Sequence, residues 1–207
     1  MMRTATCCVV MMLLLVGGVM AQGTFVSGVT DGFSVPTAYT AEPGHAAIGL
    51  WGVGRGDDRF GYCVDFGLPG AIEAFACGVL DDGDLQHNRL GVKVAFLDQR
   101  GVRMAAFLYD IRSGVSPKPG VVMTYQQPDG PFGISLAGWH HNDDGMQGGV
   151  AATCLLNAHV AISAEYSSTD KLAGGLIMSY GGFSGLVYRL DAYDDWFVSV
   201  NHGLFTW

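Results

Sequence analysis

The chain has 207 residues, enough for one domain with a sizeable core. Only 14% of them are charged and 49% are hydrophobic, with 31 Gly and 7 Pro. No long apolar run lies outside the N-terminus, a profile unusual for a soluble domain and suited to a barrel whose outer face meets lipid.

Residues 1–21 read as a secretory signal. Arg3 supplies the positive charge, residues 7–16 are an apolar stretch too short to span a membrane and stay there, and Val19-Met20-Ala21 is a small-x-small cleavage site before Gln22. No cysteine follows that site, which argues against a lipoprotein anchor; an N-terminal membrane anchor is the competing reading. Without Arg3 there remain 10 basic and 19 acidic residues, a net charge of −9. That excess argues against nucleic acid or anionic lipid as the main partner. Cys7 and Cys8 leave with the signal, and Cys63, Cys77 and Cys154 are too few for a disulfide scaffold.

Residues 22–45 form a leader without a strong period. Within it, residues 35–44 are a Pro-bounded extended segment expected at the barrel mouth or plugging it. From Ala46 onward apolar and polar residues alternate, interrupted by turn signals, which is the pattern of an all-β meander. About twelve strands are expected, with ten possible: 46–54, 58–66, 71–80, 89–97, 102–111, 120–127, 132–140, 146–156, 159–167, 174–181, 185–192 and 195–207. Most have the length of a tilted membrane-spanning strand, and every Pro lies outside them or at an edge.

The phase of individual strands is legible. Phe60, Tyr62, Val64 and Phe66 oppose Gly61, Cys63 and Asp65; Leu90, Val92, Val94 and Phe96 oppose Gly91, Lys93 and Ala95. Val102, Met104, Ala106 and Leu108 oppose Arg103 and Ala105; Val160, Ile162, Ala164 and Tyr166 oppose Ser163 and Glu165; Leu186, Tyr188 and Leu190 oppose Arg189 and Asp191. A soluble sandwich would give a similar alternation. The polar face, however, is dominated by Gly, Ala and Ser with about one charge per strand, which fits side chains facing one another across a lumen.

Connections after the even-numbered strands are short, and those after strands 3, 5 and 9 (residues 81–88, 112–119 and 168–173) are longer. This partial asymmetry is that of an outer-membrane barrel with both termini in the periplasm. Trp51, Trp139, Trp196, Tyr109, Tyr166, Tyr180 and Tyr193 lie near strand ends, where aromatic rings suit a lipid–water boundary. The fold expected is therefore all-β, an antiparallel up-and-down transmembrane barrel over residues 46–207.

The final segment resembles the targeting strand of bacterial outer-membrane β-barrel proteins, alternating and ending on an aromatic: Phe205 and Trp207 match, Val198 and Val200 keep the other phase, and Asn201 and Gly203 depart. A bulge at His202-Gly203 would restore the alternation. Gly32-Phe33-Ser34-Val35-Pro36-Thr37-Ala38 with Pro43-Gly44, and Asp65-Phe66-Gly67-Leu68 followed by Glu73, resemble segments of exopolysaccharide-associated outer-membrane barrels. That resemblance implies a place in envelope polysaccharide export and supplies no catalytic motif.

The candidate functional residues are the lumen charges Asp65, Glu73, Lys93, Arg103, Glu165, Arg189 and Asp191. They would set ion selectivity in an open pore or pair across a closed one. Asp81, Asp82 and Asp84 could hold Ca²⁺ or Mg²⁺ on a loop and bridge to lipopolysaccharide phosphates, although turns favour Asp for local reasons; no other cofactor is expected. His140 and His141 are adjacent on a strand, so they point to opposite faces and make a poor transition-metal pair. Cys63 and Cys77 flank the first short turn. If residues 67 and 73 pair, the two face each other and could bond; if 67 pairs with 71, Cys63 faces Phe75 and Asp65 meets Glu73.

His202, Ser199 and Asn201 contain the residue types of a membrane-embedded hydrolase without its spacing, so an enzyme is not expected. The sequence thus favours an outer-membrane barrel of structural or passively conducting role, whose partners are outer-membrane lipid, lipopolysaccharide and the assembly machinery. The alternatives are a secreted soluble β-sandwich or barrel that binds a ligand or surface, and an outer-membrane hydrolase.

Overall fold

The computed structural model describes residues 35–53, 60–81, 84–141, 145–168, 171–180, 183–190 and 195–206. The signal, the start of the leader, Asp82, Asp191, Tyr193 and Trp207 lie outside them. Twelve antiparallel strands close into one barrel: β1 (His45–Val53), β2 (Phe60–Leu68), β3 (Ile72–Asp81), β4 (Asp84–Gln99), β5 (Val102–Ile111), β6 (Lys118–Gln126), β7 (Phe132–His141), β8 (Gly145–Asn157), β9 (Val160–Ser167), β10 (Lys171–Tyr180), β11 (Phe183–Leu190) and β12 (Asp195–Thr206). Each strand pairs with its sequence neighbours, and β1 pairs with β12 to close the ring. A closed ring leaves no sheet edge unpaired. The start of β1 and the end of β12 meet at one end of the barrel (the turn end), with the tight connections after β2, β4, β6, β8 and β10. The other end is the loop end.

Turn chemistry fixes the register at the turn end. Arg100 and Gly101, with φ of 50° and 83°, make the two-residue reversal between Gln99 and Val102, where positive φ at both central positions matches the strand twist. Gly70 and Ala71 are left-handed as well, and Leu68 pairs with Ile72 across the three residues between them. That register sets Gly67 against Glu73 and Cys63 against Cys77.

The strands differ from the expected ones in several places, among them the connection expected at 168–173, which ends where β10 begins at Lys171. The long connection anticipated at 81–88 is mostly strand: β4 starts at Asp84, and Asp81 pairs with Asp84. An irregular register between Cys77 and Val79 absorbs the one extra β4 residue that breaks the alternation there. In β12 the register shifts between the Gly203–Ala47 and Phe205–Ala46 pairs. The bulge expected at His202-Gly203 thus lies one residue later, where one extra β12 residue stands between the two pairs.

The walls are apolar outside and mixed inside. Among the described residues Leu50, Phe66, Phe96, Leu108, Val121, Ile134, Leu136, Ile162, Leu172 and Leu176 all stand exposed on the outer face. An apolar surface this extensive is unusual for a barrel surrounded by water. A single closed ring also removes the soluble sandwich. Inside, aromatic rings lie flat on glycines directly across the ladder: Trp51 on Gly61, Phe75 on Gly91 and Phe107 on Gly120. A Cβ at any of the three glycines would collide with the ring. The inner face is therefore rich in glycine because it must accommodate rings within a narrow bore.

Three expected members of the aromatic girdle belong instead to this interior. Trp51 packs on Phe197, with ring centroids 5.6 Å apart. Trp139 is buried and its Nε1–H donates to Gln147 Oε1 at 3.0 Å. Tyr109 packs on Phe107. Their strand phase, not their nearness to strand ends, decides the face. Trp196, Tyr166 and Tyr180 do face outward.

Candidate functional site: the barrel lumen

The lumen holds a segment of the chain itself. Residues 35–44 pass through it before β1, and Val35, Ala38 and Ala41 are buried. Three backbone N–H groups, three residues apart, each donate to an inward-facing acceptor: Val35 to Glu165 Oε2 at 3.0 Å, Ala38 to Thr124 Oγ1 at 2.8 Å, and Ala41 to Glu73 Oε2 at 2.7 Å. Three residues is the repeat of a polyproline II chain, which has no internal hydrogen bonds and must find acceptors elsewhere. Pro36 and Pro43 suit that conformation. The acceptors sit on β9, β6 and β3, so the segment winds past half the ring of strands.

A second group holds each acceptor. Tyr188 Oη–H donates to Glu165 Oε1 at 3.0 Å. The hydroxyls of Thr124 and Ser135 share a hydrogen bond of 2.8 Å. Lys93 Nζ lies 3.4 Å from Glu73 Oε1, with both side chains fully buried. The luminal polar groups are therefore arranged around the threaded segment, and fixed donors rather than water meet the buried carboxylates. Where the segment meets the wall, Gly67 is required: a Cβ there would strike the carbonyl of Glu42. Gly44 turns with a φ of 81°, and its N–H donates to the Gly67 carbonyl at 2.8 Å.

Of the residues selected from sequence, Asp65, Glu73, Lys93 and Glu165 are buried inside the ring. Asp65 Oδ1 accepts the Ala47 N–H at 3.0 Å beside the β1 register shift. Arg103 stands at the rim of the turn end: its Nε lies 3.1 Å from Asp98 Oδ2, and its guanidinium covers the ring of Tyr39 in the threaded segment, 4.3 Å from the centroid.

Arg189 requires correction. It faces outward, with its guanidinium 5.7 Å from the ring centroid of exposed Trp196. The inward residues of β11 are Ser184, Leu186 and Tyr188. Both faces of this strand carry bulky apolar residues, so alternation does not fix its direction, and a long Arg at a strand end can reach the interface from outside. Asp191 lies outside the described residues, as does Asp82 of the proposed cation loop. Among the described residues no group of three or more His, Cys, Asp or Glu side chains could hold a metal.

The cysteines at positions 63 and 77 are bonded, and Cys154 is free. Ser199 and Asn201 turn into the lumen while His202 stacks on the ring of Phe183 at 4.0 Å; the structure assembles no nucleophile–base pair from these three. Sequence reasoning missed Thr124, Ser135 and Tyr188, whose roles depend on the threaded segment. The inward phase was the available signal for Thr124 and Ser135, whereas alternation on β11 gave none for Tyr188.

Two apolar clusters also occupy the lumen. Leu186, Tyr188, Phe197 and Ala173 form one cluster, with Trp51 and Ile177 against it. Phe107, Val122, Trp139 and Ala105 form another around Ala38 of the threaded segment.

No protein-family model matches the sequence, and no curated protein sequence does. Among solved structures, the NanC porin is similar with a TM-score of 0.51 at 9% identity, over 77% of this chain and 100% of that one. A double mutant of Rhodopseudomonas blastica porin matches with a TM-score of 0.43 at 17% identity, over 72% of this chain. This chain spans only 56% of the length of that porin. What the NanC likeness establishes is the closed antiparallel barrel.

Proposed function

We propose that the protein is an outer-membrane β-barrel closed by its own N-terminal segment. In this reading residues 1–21 direct export and the strand ending at Phe205 and Trp207 directs insertion by the assembly machinery. The observation that carries it is the polarity of the wall: large apolar side chains outside, and carboxylates, hydroxyls and the lysines Lys93 and Lys118 inside. Lipid is the medium that suits such an exterior. Cell fractionation with a heat-modifiability gel tests it. The protein is expected in the outer-membrane fraction with a faster-migrating unboiled band, and recovery in the soluble periplasmic fraction would end the reading.

A passive pore is the second reading, favoured by the fold shared with a porin across that porin's full length. The hydrogen bonds to Glu165, Thr124 and Glu73 favour a shut lumen instead. In planar bilayers the full chain is expected to carry no steady current, whereas a chain lacking residues 22–44 conducts. Glu165 and Glu73, the latter with Lys93, would then hold the segment in the intact protein, and these charges with Asp65 would filter ions only after its removal. The resemblance of the leader to exopolysaccharide-associated barrels extends the proposal to envelope polysaccharide export, tested by measuring exported polysaccharide in a strain lacking the protein. Ca²⁺ or Mg²⁺ bridging the acidic loops, Asp81, Asp82 and Asp84 first, to lipopolysaccharide would appear as a loss of thermal stability on chelation.

A further inference from the structure

Four side chains meet at the loop end of the lumen. Asp110 is at their centre. Strict alternation would turn it outward, because Ala105, Phe107 and Tyr109 already point in. Instead β5 carries one residue more than β4 between the Leu90–Ile111 and Val92–Leu108 pairs, and Asp110 has a φ of 60°. This left-handed bulge turns its carboxylate into the lumen, where the side chain is 1% exposed. A bulge is a common device for re-aiming a side chain, and Asp tolerates the conformation better than most residues.

Three cations converge on that carboxylate. Arg112 Nε lies 2.9 Å from Oδ1, Lys118 Nζ 3.0 Å from Oδ2, and Arg89 Nε 4.0 Å from Oδ1. Elsewhere in the lumen Lys93 has Glu73 as its carboxylate. Here Arg89 and Arg112 have only Asp110 among the described residues, and they share it with Lys118. Like charges gathered around one acceptor repel, and a second anion relieves that repulsion. Both guanidiniums remain reachable, with 49% and 38% of their side chains exposed. A planar fork of N–H donors matches a phosphate oxyanion.

We propose that Arg89 and Arg112 form an anion-binding site at the loop-end mouth, gathered by Asp110 and taking a phosphate group, whether free in solution or on a lipid headgroup. The site does not depend on whether the barrel is closed. Local basicity in a chain of net charge −8 makes it selective by position rather than by overall field.

The test uses the full chain in phosphatidylcholine nanodiscs, titrated with inorganic phosphate against chloride at constant ionic strength, and reads the heat-modifiability transition. A parallel sample in phosphatidylglycerol nanodiscs without phosphate reports on headgroups. Saturable stabilisation in the first sample supports a free phosphate ligand, and raised stability confined to the second supports the lipid. Arg89→Gln, at an exposed position that tolerates change, should weaken the effective phosphate or headgroup binding by about 10-fold, the loss of one charged hydrogen bond. Asp110→Asn keeps an acceptor oxygen while removing the competing charge, and should tighten binding several-fold. An equal response of Arg89→Gln and the unmodified chain would overturn the proposal, as would weaker binding by Asp110→Asn or no anion-specific shift in either membrane.

Discussion

Lys93 and Glu73 provide a direct test of a sealed lumen. Both side chains are fully buried, and the charged atoms are 3.4 Å apart. At that separation the attraction is about 5 kcal/mol at an effective dielectric near 20. Much of it is cancelled by the cost of taking two ions out of water, so the intact pair adds little net stability. Removing one partner is different. Lys93→Met eliminates the attraction while Glu73 stays buried, held only in part by the Ala41 N–H at 2.7 Å. A broken buried pair typically costs about 3–5 kcal/mol, and the remaining hydrogen bond points to the lower end. Glu73→Gln combined with Lys93→Met removes both charges and keeps an acceptor for Ala41, so it should lose no more than about 1 kcal/mol. Reversible urea unfolding into phosphatidylcholine vesicles, followed by Trp fluorescence, gives these differences. If Lys93→Met lost less than about 1 kcal/mol, or if the double variant lost the sum of its singles, water would have access to the pair and the sealed lumen would be wrong.

Three further outcomes follow from the wall. Gly120→Ala should cost about 1–3 kcal/mol through collision with Phe107, and adding Phe107→Ala should recover part of the loss in the same unfolding assay. Cys63→Ala opens a bridge with a sequence separation of 14 and should cost about 3 kcal/mol; reductant should produce the same loss in the unmodified chain and none in the variant. In single-Trp variants, brominated lipid should quench Trp196 and spare Trp51 and Trp139, whereas strong quenching of Trp51 would place its ring outside.

Alternation reveals most of the ring because an apolar exterior imposes one requirement on every strand: the outward residue must be apolar. Phe60 to Phe66, Leu90 to Phe96 and Val160 to Tyr166 obey it, and their phase alone puts them on the correct face. The inner face is under no single rule. It accepts an ion pair at Lys93, a hydroxyl at Ser135, and a tyrosine with a leucine on β11. Strands with apolar residues on both sides therefore lose their direction in the sequence, and this is why alternation alone puts Arg189 inside. Asp110 escapes for a separate reason. One extra residue in β5 reverses the phase, and only the conformation of Asp110 and its partners on β4, β6 and the intervening loop show that the reversal occurs.

The apolar groups inside also bear on whether the lumen stands open. Leu186, Tyr188 and Phe197 are each 1% exposed, which is core burial rather than the partial wetting expected along a water-filled channel. These side chains gain stability by packing against one another, as Phe107 and Trp139 do with Ala38 in the second cluster. The polar groups that meet the leader stand where its backbone presents an N–H: Glu165 for Val35, Thr124 for Ala38 and Glu73 for Ala41. An aqueous pore has no need for acceptors matched to a chain at every third residue. A lumen that folds around its own leader does, because each buried N–H left without an acceptor costs about 1–3 kcal/mol. The placement of these three acceptors therefore argues that the leader is part of the folded interior and must be displaced before anything else can pass.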